Sequence, residues 1–160
     1  FKQKTAYEIR NCDWSSDVCS SDLELEIPPA GAEGMIYTHG GLTGGLGLYL
    51  RDGRAHFSYN MLAIDRYLVS SEKLPAGKVS LQVRYDHEGQ PGQIGKGGSV
   101  TLLANGQKVG EGKLPKTVPL QFSLGEGVDV GRDSGSAVDE SYQLPFMFTG
   151  KIEKVTIDLK

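Results

Sequence analysis

Over most of residues 24–160 apolar and polar positions alternate with a period of two, the spacing that sends successive side chains to opposite faces of a β-strand. The sequence Met35-Ile36-Tyr37-Thr38 reads as a strand stopped by Gly40-Gly41. In residues 46–50, Leu46, Leu48 and Leu50 share one face, with Gly47 and Tyr49 on the other. Asp52-Gly53 supplies the positive φ angles of a tight hairpin turn, and residues 55–60 return as its partner strand. Residues 66–69 read as a short strand. Val79, Leu81, Val83 and Tyr85 alternate with Ser80, Gln82 and Arg84, which predicts one apolar and one wet face. Residues 86–98, Gly-rich and containing Pro91, read as a long loop. Residues 100–103 and 108–109 flank an Asn105-Gly106 turn and form a second hairpin. Pro119 keeps the run 118–122 away from a central ladder. Residues 146–150 lead into a last strand with Ile152, Val155, Ile157 and Leu159.

No helical period competes with these runs. About ten to twelve short strands at this spacing predict an all-β fold, a two-sheet antiparallel sandwich of the jelly-roll or concanavalin A-like kind. The pattern carries no fixed repeat of the sort that marks a propeller or a solenoid.

Composition sharpens this picture. All 22 glycines lie after Leu23, which implies many turns. Residues 24–160 number 137, enough for one domain whose core needs neither a disulfide nor a structural metal. They hold 14 of the 17 Lys and Arg residues and 16 of the 20 Asp and Glu residues, a formal charge of −2. With no basic face or polybasic cluster, nucleic acid and the membrane surface are not the expected partners. No apolar run approaches the roughly 20 residues of a membrane span, so a soluble domain is expected.

The first 23 residues have no such order. Both cysteines, Cys12 and Cys19, and the single Trp14 fall here, so the sequence downstream of Leu23 is cysteine-free. Back-translated, residues 2–9 and 13–23 fit two parts of a common short-read sequencing adapter, and Arg10, Asn11 and Cys12 fall where its variable index would lie. The segment 1–23 is therefore read as adapter-derived, non-native and disordered, and is set apart from the domain at 24–160. The competing reading is a natural arm closed by a Cys12–Cys19 disulfide.

Candidate chemistry is sparse. His39, His56 and His87 stand apart from one another at spacings that suit no metal site. The glycines at 40, 41, 44 and 45 lead into a strand, without the Lys and helix N-terminus of a phosphate cradle, and read as a bend. Asp129 and Asp133, in the loop DVGRDSGS, are oxygen donors of the kind calcium takes; alternatively they form Asx turns or pair with Arg132. Glu24, Glu26 and Glu33 do not have the spacing of a glycosidase pair. No nucleophile elbow or Ser/His/Asp order is present. No catalytic residue is assigned.

The strings EGMIYTHGGLTGGLGLYLRDGRAHFSYN, GQKVGEGKLPKTVPLQFSL, DVGRDSGSAVDESY and PFMFTGKIEKVTIDL together resemble the C-terminal domain of bacterial arylsulfatases, in the same order across residues 24–160. The resemblance implies a bacterial parent enzyme that hydrolyses sulfate esters with a Ca²⁺ ion and a formylglycine made from the Cys or Ser of a C/S-x-P-x-R motif. That motif is absent from this chain, so no family catalytic residue carries over. On this reading the chain is the truncated tail of such an enzyme, and its partner is its own upstream catalytic domain in cis. The alternative function is a lectin-like carbohydrate-binding module, with Tyr37, Tyr49, Phe57 and Tyr59 as candidate stacking rings.

Overall fold

The side chains of Val79, Leu81, Val83 and Tyr85 all turn inward and are no more than 3 % exposed, while Ser80 and Arg84 between them face water. This alternation runs through a computed structural model that describes residues 6–9, 18–90, 93, 95–118 and 126–159. In chain order the strands are β1 (Ala6–Ile9), β2 (Val18–Ile27), β3 (Gly34–Gly41), β4 (Gly44–Arg51), β5 (Arg54–Met61), β6 (Asp65–Lys73), β7 (Gly77–His87), β8 (Lys96–Ala104), β9 (Gln107–Lys116), β10 (Val128–Val130), β11 (Arg132–Asp133), β12 (Phe146–Met147) and β13 (Lys151–Leu159). No helix occurs among the described residues, and none is long and apolar enough to cross a membrane.

The strands form two sheets. One has the order β1-β13-β2-β7-β8-β9; the other has the order β11-β12-β3-β4-β5-β6, with β10 also pairing with β3. Pairing is antiparallel except for β1 on β13 and the single β12–β3 contact. The predicted all-β, two-sheet antiparallel sandwich is the observed architecture. Its core fills the space between the sheets with Leu23, Leu25, Leu81, Val100, Leu102 and Ile157 from one side and Leu46, Leu48, Leu50, Phe57, Tyr59 and Val69 from the other. Each such fully buried side chain contributes about 1.5–3 kcal/mol.

The turns follow their residue chemistry. Asp52 and Gly53 sit at φ 53° and 73°, and Asn105 and Gly106 at 51° and 80°, as tight hairpins require. Ile152 and Val155 both reach the core although three residues apart, because a register shift in β13 between Ile152 and Lys154 turns the strand. Where edge strands β6 and β9 meet, side chains have no room. A Cβ on Gly110 would lie 2.6 Å from the Ser70 carbonyl oxygen, and one on Gly112 would lie 2.5 Å from a Val69 methyl. These glycines let the two sheets close against each other along that edge.

The structure departs from the sequence reading in several places. β6 is longer than the predicted strand at 66–69, and β7 and β8 extend into the predicted loop at 86–98. The run 118–122 lies outside the described residues beyond Val118. Residues 18–23, read as disordered, form the first half of β2, and residues 6–9 pair with the edge of β13. Backbone pairing explains this, since β2 lies between β7 and β13 and hydrogen-bonds to both whatever its side chains are. Leu23 enters the core and is fully buried.

Candidate functional site

Segment 131–147 crosses the outer face of the β3–β6 sheet and packs on strands β3 to β5, while Arg66, Leu68, Ser70 and Glu72 of β6 stay exposed. Its anchors are apolar and polar in turn. Tyr142 and Phe146 stack at a centroid distance of 4.8 Å, and both pack on Tyr49, at 5.4 Å and 5.9 Å. With Met35 and Ala137 these rings make a second, smaller core. His56 stacks on Tyr49 from the side at 5.1 Å. Its Nδ1 lies 2.8 Å from the Ser70 hydroxyl, and partial burial lowers its pKa. The polar anchors are Ser58 Oγ donating to Asp139 at 2.8 Å, Tyr49 and Ser141 sharing a hydroxyl hydrogen bond at 2.8 Å, and Arg51 donating to the Ser141 carbonyl. Arg66 pairs with Glu140 at 3.1 Å.

Where this segment leaves the sheet, Thr38, Glu126, Asp129, Asp133 and Ser134 line a recess of about 170 Å³. The predicted acidic pair therefore does share one site. Its oxygens are already engaged. Asp133 is 2 % exposed and accepts a hydrogen bond from the Tyr142 hydroxyl at 2.5 Å and another from the Gly135 backbone N–H, two residues on. That is the Asx turn of the alternative sequence reading, without the Arg132 pairing. Burial raises the Asp133 pKa, the two hydrogen bonds oppose it, and the charges of Asp129 and Glu126 add to it. Asp129 accepts from Ser134 Oγ at 3.3 Å. Among the described residues no group of three or more His, Cys, Asp or Glu is arranged to hold a metal.

The four proposed stacking rings require correction. Tyr37, Tyr49, Phe57 and Tyr59 are all between 0 and 3 % exposed, so no sugar face reaches them. Tyr37, Phe57 and Tyr59 belong to the main core and Tyr49 to the smaller one. Tyr59 also accepts the Val118 N–H at 2.8 Å, and burial raises its pKa. Alternating aromatics in a strand are equally suited to a core or to a surface platform, and here packing claims them.

Sequence reading missed a group of exposed aliphatic side chains. Leu42 in the β3–β4 turn is 50 % exposed, and Leu62 and Ile64 in the β5–β6 turn are 40 % and 74 % exposed. Leu68, at the start of the same hairpin's return strand, is 52 % exposed. The fully buried Asn60 ties the two turns together: its Nδ2 donates to the Gly41 and Leu42 carbonyls at 3.0 and 2.9 Å, and its Oδ1 accepts from Ala63 N–H at 2.9 Å. Leu62 and Ala63 both have positive φ, 53° and 59°, in a turn where Asn-Gly would carry no strain. The signal in the sequence was the apolar run Met61-Leu62-Ala63-Ile64 at a place that calls for turn residues.

No family model matches the chain, and no curated protein matches it. Among solved structures it is similar to domains LG4-5 of the mouse laminin α1 chain, with a TM-score of 0.69 and 15 % identity over 95 % of this chain and 38 % of that one. It is also similar to the LG1-3 region of a laminin α2 chain, with a TM-score of 0.57 and 14 % identity over 94 % of this chain and 29 % of that one. The chain thus spans well under half the length of either. At such identity the likeness shows the fold: the protein is a jelly-roll, concanavalin A-like β-sandwich.

Proposed function

We propose that this protein is a non-catalytic accessory domain, the C-terminal β-sandwich of a bacterial arylsulfatase, that packs on a sulfatase catalytic domain encoded upstream. The observation that carries this reading is the joined pair of apolar turns. Leu42, Leu62 and Ile64 are exposed on turns whose backbones Asn60 ties together, and a group of exposed aliphatics on neighbouring turns suits a protein contact. The order of motifs across residues 24–160 supports the sulfatase assignment of the partner. The burial of all four candidate stacking rings weighs against the carbohydrate-binding alternative.

On this reading the domain does no chemistry. Its role is to cover an apolar face of the catalytic domain and fix that domain's rim. The Ca²⁺ ion and the formylglycine belong to the catalytic domain, and the recess beside Asp129 and Asp133 is structural.

The test mixes the full chain with a bacterial arylsulfatase catalytic domain expressed without its own tail, and measures association by calorimetry. Saturable binding is expected, weakened at least about tenfold by Leu62→Ser combined with Ile64→Ser, as for central apolar contacts of an interface. Unchanged binding by that variant would remove the assigned surface. Selective glycan binding by the chain, with none to the catalytic domain, would replace the reading by the lectin-like one.

A further inference from the structure

Along β6, where the outer face of its sheet stays open, a histidine and a serine meet across two strands. His56 of β5 and Ser70 of β6 stand directly opposite each other in the register, so both side chains leave the same face of the sheet. His56 Nδ1 lies 2.8 Å from Ser70 Oγ, and His56 Nε2 lies 3.3 Å from the Arg51 carbonyl oxygen. Ser70 is exposed and His56 is half-buried.

These two contacts assign the ring proton. A carbonyl oxygen only accepts, so Nε2 carries the hydrogen it shares with Arg51. In the neutral ring Nδ1 is then a bare lone pair, and the Ser70 hydroxyl donates to it. The ring is also held against Tyr49, with centroids 5.1 Å apart and an interplanar angle of 23°. A hydroxyl resting on a base, with the base oriented by a third group, is the arrangement that activates a serine nucleophile.

The surroundings keep the base free. Burial lowers the His56 pKa below the ordinary histidine value; the Arg51 carbonyl and Asp52 oppose this, and the charges of Arg51 and Arg54 add to it. The lone pair is therefore present at neutral pH. Ser70 stands exposed on an edge strand, so water rather than fixed donors meets an oxyanion formed there. Such a site supports a single covalent event and not turnover, which goes beyond the accessory role proposed above and leaves it unchanged.

We propose that Ser70 is a nucleophile, with His56 as its general base, and that an activated acyl ester modifies the protein there. Ser70 Oγ bonds to the acyl carbon as its proton passes to His56 Nδ1. The bond from that carbon to the leaving oxygen breaks, the leaving group departs with the bonding pair as an alkoxide or phenolate, and the imidazolium releases its proton to solvent.

The experiment treats the full chain with p-nitrophenyl acetate and follows the acetylated residues over time by peptide mass spectrometry. General-base assistance is worth roughly 10²–10⁴ in enclosed active sites, so on this open face Ser70 is expected to label at least about tenfold faster than Ser80, an exposed serine opposite Glu24. His56→Gln is expected to bring Ser70 down to the Ser80 rate. Because that change also alters the ring packed on Tyr49, the pH profile of the unaltered chain carries the test independently. Ser70 labelling is lost as pH falls through the His56 pKa, and Ser80 does not share that inflection. A Ser70 rate no greater than that of Ser80, an unchanged rate in His56→Gln, or a Ser70 profile without its own acid inflection would overturn the proposal.

Discussion

Asp133 is buried and lies near the Asp129 and Glu126 carboxylates, so its ionised form costs the folded state free energy. The sign follows from linkage. A carboxyl whose folded pKa is raised binds more protons in the folded state, so its contribution to stability improves as pH falls toward that pKa from neutral. Asp133→Asn removes this dependence. The difference in melting temperature, wild type minus variant, is therefore expected to be more favourable to wild type at pH 5 than at pH 7. Thermal melts at the two values check this, and a difference that moves the other way contradicts it. Tyr142→Phe leaves the same carboxylate without its buried donor and should cost about 1–3 kcal/mol in urea unfolding. At the edge where the sheets meet, Gly110→Ala drives a Cβ into the Ser70 backbone. It is expected to destabilise by about 1–3 kcal/mol, and a neutral result would mean that the two edges do not close as described.

Among the elements, the hairpins differ in how far their turns agree with their strands. Asp52-Gly53 and Asn105-Gly106 are made for positive φ; Leu62-Ala63 is not. Replacing Leu62-Ala63 with Asn-Gly should relieve about 1–2 kcal/mol of backbone strain and raise the melting temperature by roughly 4 °C. The same change removes an exposed leucine, so the account predicts a more stable protein that binds its partner less well. A thermal melt paired with the binding measurement separates the two effects. The β4, β5, β7 and β8 strands were legible because alternation and Gly turns agree there, and Leu46, Leu48 and Leu50 do face the core. Segment 131–147 was not legible. It has no period, and the residues that hold it, Tyr142, Phe146, Asp139 and Ser141, meet partners some 80 to 110 positions earlier in the chain. For the same reason Tyr49 read as a surface ring: nothing in its strand announces that a later segment will cover it. Asp129 and Asp133 were found as a pair, but the Tyr142 hydroxyl that engages Asp133 was not foreseen.

Taken as a whole molecule, the sandwich is asymmetric. The outer face of the β2–β7–β13 sheet is a charged lattice in which Lys151 lies 3.2 Å from Glu153 and 3.9 Å from Glu26, with Lys78 3.7 Å from Glu153. These pairs are exposed, so Lys151→Ala should leave the melting temperature within about 1 °C. A larger loss would show that this face is not simply solvated. The other sheet is covered by its own chain over β3 to β5 and open to water along β6, and the apolar turns at Leu42, Leu62 and Ile64 project from one end. A polar face, a partly covered face and an apolar end together suit a domain that docks end-on to a neighbour. The most direct test of that role is to recover the genomic DNA upstream of the codon for Glu24 and translate it. The account predicts an in-frame catalytic domain carrying C/S-x-P-x-R in place of residues 1–23. Native genomic sequence encoding FKQKTAYEIR immediately upstream of that stretch, with no such domain, would contradict it.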